Sequence, residues 1–400
     1  MSSEDFDRLI LTCDALPLPP FIGHNRVVYE LLQALDREEI DAVVYANDDE
    51  MKQLEKHWKG RRIRFHPLTR RLAGRHVRAM VQQLSLPTVT RDFDREETLV
   101  KSLARPARNP RLLVHFITGA PLLERFDGRG IVLSGHDCMS HVYLEEARHA
   151  RDWPTRLKFL IRCRFARVAE ARHAHRAERV HLVSQHDVVE FKRVNPRIHG
   201  EVVPLGTEAP NTAQLQPFAE RRQSVIWGTL ADELILAGLR RLLAVAIRSH
   251  PALLRGWVLL GRVPESEARI LLPDLDRLGL IYQAHVPNLT TFLGATRLLL
   301  LPDVGGSGQK TRTLDGLAHG CCAMGLPIAF RGIENRPDPA YFQASTHDEL
   351  LDKLASLSAV AAERSAARGR QLFLDEFDRP VLARRWRRLL QSLSPFVPGN

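Results

Sequence analysis

The chain has 400 residues, 44% hydrophobic and 26% charged, with a formal net charge of +10. That length exceeds one ordinary core, so two domains are expected, and no apolar run approaches the eighteen or so residues a membrane span needs. The positive balance admits nucleic acid, an anionic membrane surface or phosphorylated substrates as partners without choosing among them.

The opening MSSEDFDRLILTC lacks a basic flank and a long apolar core, so no secretory leader is expected. The five cysteines, Cys13, Cys138, Cys163, Cys321 and Cys322, are odd in number and show no metal-ligand spacing. They read as reduced thiols of a cytoplasmic protein. LILTC (9–13) and DAVVYA (41–46) read as buried strands around a helical stretch at 25–39. This βαβ opening predicts a parallel sheet. RLLVHFIT (111–118), GIVLSGHD (130–137), RVHLVS (179–184) and HGEVVPLG (199–206) continue the strand series, and 154–178 reads as a long, strongly basic amphipathic helix. A polar linker with one proline, 211–223, suits a domain boundary. Beyond it SVIWG (224–228), GWVLLG (256–261), LIYQAHV (280–286), RLLLLPDV (297–304) and CCAMG (321–325) form a second strand series. The tail 377–395 reads as a helix with Phe377, Leu382, Trp386 and Leu390 on its apolar side. The expected class is therefore α/β with two units of similar size.

The stretch with most chemistry is GGSGQKTRTLDGLAHG (305–320). It places a glycine turn between a strand and a helix start. Glycines let backbone approach an anion closely, and first-turn N–H groups point at it. Lys310 and Arg312 stand at the helix end that already carries positive dipole charge. A bound diphosphate would make both of them counter-ions. Asp315 lies five residues beyond Lys310, roughly 7–8 Å along a helix, about the span from a diphosphate to its ribose. The pattern is neither a Walker loop nor a dinucleotide fingerprint.

The stretch LLLPDVGGSGQKTRTLDGLAHGCCAMGLPIAFRGIE resembles the donor-site signature of the family-4 retaining glycosyltransferases of the GT-B fold, and within them a bacterial exopolysaccharide sugar-transferase subgroup. LPLPPFIGHNRVVYELLQAL (16–35), YANDDE (45–50), LSLPTVTRDF (84–93), GHDCMS (135–140), HLVSQHDVVEF (181–191) and EVVPLGTE (201–208) resemble further segments of that subgroup in the same order. The resemblance implies two Rossmann-like domains facing across a cleft. Residues 1–207 would form the acceptor side and 208–376 the nucleotide-sugar domain. A C-terminal helix in 377–400 would cross back to the first. It further implies that Gly305, Gly306, Ser307, Gly308, Lys310 and Thr311 face the donor diphosphate and sugar, with Gly23 approaching from the first domain. Asp315 would hold the ribose. His136 would sit near the transferred sugar and, with Lys310 and Asp315, serve catalysis. Arg26 and Asp137 would belong to the acceptor side. The implied co-substrate is a nucleotide sugar, UDP- or GDP-linked, with no metal and no separate cofactor. The acceptor would be a glycan or lipid-linked, with an anionic membrane surface as a further partner, peripheral to the cytoplasmic membrane. No specific nucleic acid is expected, since RNP, KH and zinc-finger patterns are missing.

The departures from that pattern are specific. Ser307 stands where many members carry Glu, Asp315 is one methylene shorter than the usual Glu, Leu205 replaces an Asn, and 225–233 lacks the usual Arg and Lys. They keep two alternatives open: a GT-B nucleotide-sugar epimerase, and a catalytically inactive GT-B scaffold or basic nucleic-acid binder. His115 reads as a core or rim histidine, Cys321 and Cys322 as buried strand residues, and Asp137 and Ser140 as candidate caps of the helix after His136.

Overall fold

The computed structural model describes residues 6–14, 16–18, 23–69, 91–150, 152–306, 308–333 and 339–398. The chain divides into two compact units, Met1–Arg148 with Asp152–Leu205 and Leu382–Asn400, and His149–Arg151 with Gly206–Val381.

The first unit is built on seven strands: β1 (Arg8–Cys13), β2 (Ile40–Tyr45), β3 (Ile63–Leu68), β4 (Pro110–His115), β5 (Ile131–His136), β6 (Arg179–Leu182) and β7 (Gly200–Val202). Their order is β3-β2-β1-β4-β5-β6-β7, and every pair is parallel. The central strands are buried along nearly their whole length, as parallel strands covered on both faces must be. β3 was not expected from IRFHPL. It is the edge strand, where Pro67 removes no ladder bond that matters. Arg64 and His66 on it reach Asp41 of β2 at 2.9 and 2.8 Å.

The tail helix Arg379–Gln391 joins this unit from Leu382 onward. Leu382, Trp386, Leu389, Leu390 and Leu393 share one core with Leu9, Leu11, Val28 and Leu32. Buried Arg111 ties the joint down. Its guanidinium donates to the carbonyls of Leu390 at 2.8 Å and Leu393 at 2.9 Å.

The second unit carries β8 (Gln223–Trp227), β9 (Val258–Leu260), β10 (Ile281–Gln283), β11 (Thr296–Leu301), β12 (Cys322–Gly325) and β13 (Phe342–Gln343). The order is β10-β9-β8-β11-β12-β13, again all parallel. Counted within the unit this is 3-2-1-4-5-6, the doubly wound dinucleotide-fold order. Helix Glu233–Ser249 buries Leu236, Leu239, Leu242 and Ala246 against Ile226, Leu259 and Leu300. Gly238 sits in its middle because the helix touches the end of β11. A Cβ there would lie 2.0 Å from the Pro302 carbonyl oxygen. That close approach seats the loop after β11 directly on the helix.

Both sheets reverse direction beside their first strand, between β1 and β4 and between β8 and β11. Open α/β sheets bind ligands outside the carboxyl ends of strands at such switch points. The glycine turn follows β11 at the second of these places, and helix Gly23–Ala34 follows β1 at the first, with His136 one strand further on at the end of β5.

Candidate functional site

In the second unit the chain leaves β11 through Pro302–Val304 and enters the glycine turn. Gly306 has φ +111° and Gly308 φ +61°, conformations that side chains with a Cβ adopt only under strain. Ser307 lies outside the described residues. A Cβ built on Gly306 would come within 2.4 Å of Lys310 Nζ. The amine therefore lies over the bare backbone of Gly306, where only glycine leaves room for it.

Helix Thr311–Ala318 follows, with Lys310 at the N-cap position. A lysine has no acceptor, and its side chain does not cap the helix. The Lys310 carbonyl accepts the Thr313 N–H at 3.0 Å, and the helix starts without a carboxylate or hydroxyl cap from its N-cap residue and with a cation beside its positive end. The other helix at this switch point, Glu233–Ser249, behaves differently. Asp232 accepts from the N–H groups of Leu234 at 3.0 Å and Ile235 at 3.2 Å. Its N-terminus is already occupied by a carboxylate of its own. Of the two, the helix after β11 is the one whose N-cap residue brings a cation and no acceptor side chain. This also bears on the lack of Arg and Lys in 225–233: the loop after β8 is self-capped.

Arg312 does not act as the second counter-ion that its place in sequence suggested. Its guanidinium donates to the Trp227 carbonyl and to buried Asp303, bracing the ends of β8 and β11 against each other. The second cation at the turn is Arg331, to which the sequence reading attached no role. It donates to the Gly306 carbonyl at 2.8 Å, while Gln309 Nε2 donates to the Gly332 carbonyl at 3.0 Å. These two bonds fasten the glycine turn to the segment after Pro327–Phe330. Nothing in local spacing signals the pairing, because 25 residues separate Arg331 from Gly306. Asp315 is buried in the second turn of the helix, and its carbonyl accepts from His319 Nδ1 at 2.6 Å. Thr311 opens the helix, and Gly305 packs on Leu234.

In the first unit, His136 ends β5 with φ +62°. A β-bulge between Ser134 and His136 turns it out of register with β6. Left-handed backbone at a non-glycine residue costs about 1–3 kcal/mol and gathers at functional sites. The His136 ring is buried, 4.6 Å from the His115 ring and 5.3 Å from Phe116, centroid to centroid. His181 lies 5.9 Å further on. Its Nε2 donates to the Val203 carbonyl, so in the neutral ring Nδ1 accepts from the Ser134 hydroxyl, both at 2.8 Å. Burial pushes His181 down to about 4, the Val203 bond acting the other way.

The helix after His136, Met139–His149, has a cap the sequence did not suggest. Buried Glu170, thirty residues away, accepts the Ser140 N–H at 3.0 Å. Burial pushes this carboxyl up to about 7, against hydrogen bonds from Ser140, Met139 and Cys138 that hold it down. Arg91 forms a second hidden support. Fully buried, it pairs with Glu96 and donates to the His115 carbonyl at 3.2 Å and Thr12 Oγ1 at 3.4 Å. It links β1 and β4 at the first switch point. Gly23 and Arg26 stand in the first turn of helix Gly23–Ala34. Much of the loop before them lies outside the described residues, as does most of 84–93. Cys321 and Cys322 are buried, and burial pushes both thiols up to about 12.

No family model matches the chain, and no curated protein matches it. Solved structures do. Sucrose-phosphate synthase from Thermosynechococcus elongatus superposes with TM-score 0.64 at 12% identity, over 96% of this chain and 98% of that one. Anabaena HepE in complex with UDP and glucose gives 0.63 at 14% identity, over 97% and 100%. An E. coli trehalose-6-phosphate structure with bound UDP-2-fluoro glucose gives 0.62 at 11% identity, over 97% and 100%. Identities this low speak to architecture alone, and the architecture is clear: this chain has the two-sheet α/β fold of the GT-B glycosyltransferases.

Proposed function

We propose that the protein is a retaining, metal-independent glycosyltransferase that moves a sugar from a nucleotide sugar to a glycan or lipid-linked acceptor in cell-surface polysaccharide biosynthesis. The observation that carries this reading is the glycine turn after β11, with the Lys310 amine over Gly306 ahead of a helix N-terminus that no side chain of Lys310 closes. A diphosphate satisfies all three features at once. The UDP in the HepE complex and in the UDP-2-fluoro glucose complex favours UDP as the first nucleotide to try.

In this reading Gly305, Gly306, Ser307, Gly308, Lys310 and Thr311 hold the donor, and Asp315 accepts from the ribose hydroxyls. The bond from the sugar C1 to the diphosphate oxygen breaks. A bond from C1 to the acceptor oxygen forms on the same face, and the acceptor proton passes to the departing diphosphate. Charge grows on the leaving group, so the chemistry needs cations and N–H donors there more than a strong base. Lys310 and the first turn supply them. Gly23, His136, Asp137 and Arg26 form the first unit's contribution, with His136 donating to a sugar hydroxyl.

A thermal-shift screen against UDP-, GDP-, ADP- and dTDP-sugars tests the donor assignment, since a ligand of the folded state raises its melting temperature. One nucleotide series should stabilise the protein in the presence of EDTA. A flat response to all four refutes the reading. Conversion of the sugar without acceptor would replace transfer by epimerisation.

A further inference from the structure

Helix Trp153–Arg172 is inside out. Its buried positions include Ala166, Ala169 and the carboxylate of Glu170. Five of its seven large apolar residues face outward instead, Trp153, Leu157, Leu160, Phe165 and Val168 being 37–64% exposed, while Phe159 stacks on Tyr143. At 100° per residue these five fall within one arc of the helix surface, less than half its circumference. Half of the large hydrophobics exposed among the described residues are on this one element. Monomeric soluble proteins scatter such residues singly, and a contiguous set marks an interaction surface.

Arg164 lies within that arc and Arg167 and Arg156 flank one edge of it, all three exposed. The helix has one acidic residue, Glu170, and it is turned inward. This charge pattern selects the occupant. A second copy of the helix would set arginine against arginine, which opposes an isologous dimer. Nucleic acid would use the arginines but leave Leu157, Leu160 and Val168 without a partner, because bases stack on aromatic rings. A lipid surface with anionic headgroups satisfies both sets: the apolar side chains enter the acyl boundary and the arginines stay at the phosphates. Among the described residues no helix is long and apolar enough to cross a membrane, so this element would lie along the surface, about 30 Å in length.

We propose that the exposed face of helix Trp153–Arg172 seats the protein on an anionic lipid bilayer. This deepens the lipid-linked-acceptor reading above and gives that surface an address in the chain. Its readout is vesicle partition, so it stands or falls separately from sugar transfer.

The test is co-sedimentation of the full chain with phosphatidylcholine vesicles, neutral or containing about one-third phosphatidylglycerol. The protein should bind the anionic vesicles at low salt and come off at about 0.5 M salt. Arg156→Gln/Arg164→Gln/Arg167→Gln should weaken partition on the order of 100-fold. Leu157→Ser/Leu160→Ser/Phe165→Ser should abolish it while circular dichroism stays unchanged. Three results would overturn the proposal. They are equal partition of wild type and both variants, no binding to anionic vesicles, and a lipid-free dimer that the serine variant dissolves.

Discussion

Replacing Gly306 by alanine tests the donor site without touching a charge. At φ +111° the new residue is strained by about 1–3 kcal/mol. Its Cβ would stand 2.4 Å from Lys310 Nζ, so the amine must retreat by roughly 1 Å to reach ordinary contact. The lysine is a flexible arm, so that move costs the fold little and the stability loss comes mainly from backbone strain. The ligand is affected differently. A charge-assisted hydrogen bond is worth about 1.5–3 kcal/mol, so its loss weakens binding about 10- to 150-fold. Gly306→Ala should therefore approach Lys310→Ala in its effect on nucleotide-sugar affinity, measured by titration calorimetry. The double variant should be clearly less damaging than the sum, because both changes remove one contact. Unchanged affinity in both single variants would refute the diphosphate site. A full effect in Lys310→Ala with none in Gly306→Ala would refute the coupling between amine and turn.

Asp315→Asn should lower affinity for a nucleotide sugar while leaving inorganic pyrophosphate binding intact, read in the same calorimeter; equal loss for both ligands would remove Asp315 from the ribose. His136→Ala should reduce transfer by about 100-fold or more with donor affinity nearly unchanged, which a kcat against KM comparison would show. Two buried groups set opposing pH slopes. His181, held down at about 4, takes up its proton more readily when unfolded, so its contribution is present above about 6.5 and is lost as pH falls toward 4. Glu170, pushed up to about 7, works the other way, and its contribution is lost as pH rises from about 4.5 through 7. Each is worth about 3 kcal/mol, so Glu170→Gln should expose the His181 slope, seen as stability falling from pH 6.5 to 4 in urea titrations; a flat profile there would count against the His181 burial. Trp386→Ala should cost about 3–5 kcal/mol, because that ring fills the core shared by β1 and the tail helix; a loss under 1 kcal/mol would mean the tail only rests on the surface.

The sequence carried the strand series, the parallel class and the glycine turn before a helix because these are local. Buried parallel strands such as LILTC and RLLLLPDV are apolar on both faces, and a glycine turn before a helix is written in consecutive residues. It missed β3, where Arg64, His66 and Pro67 break the apolar pattern. An edge strand tolerates them, and only strand order says which strand is at the edge. It placed Arg312 as a counter-ion because spacing cannot show that Asp303 and the Trp227 carbonyl already hold that guanidinium. Arg331 at the turn, Glu170 over the helix after His136 and Arg91 beneath His115 were invisible for the same reason. Each reaches its partner across 24 to 30 residues. The basic helix was legible as an amphipathic helix at 154–178, and it ends at Arg172, but the pattern did not say which side meets the core. Which side of a helix meets the core depends on what packs against it, and here alanines and a buried carboxylate face inward. Local periodicity and turn chemistry are encoded residue by residue. Partners, edges and the direction of a face arise only when distant segments meet.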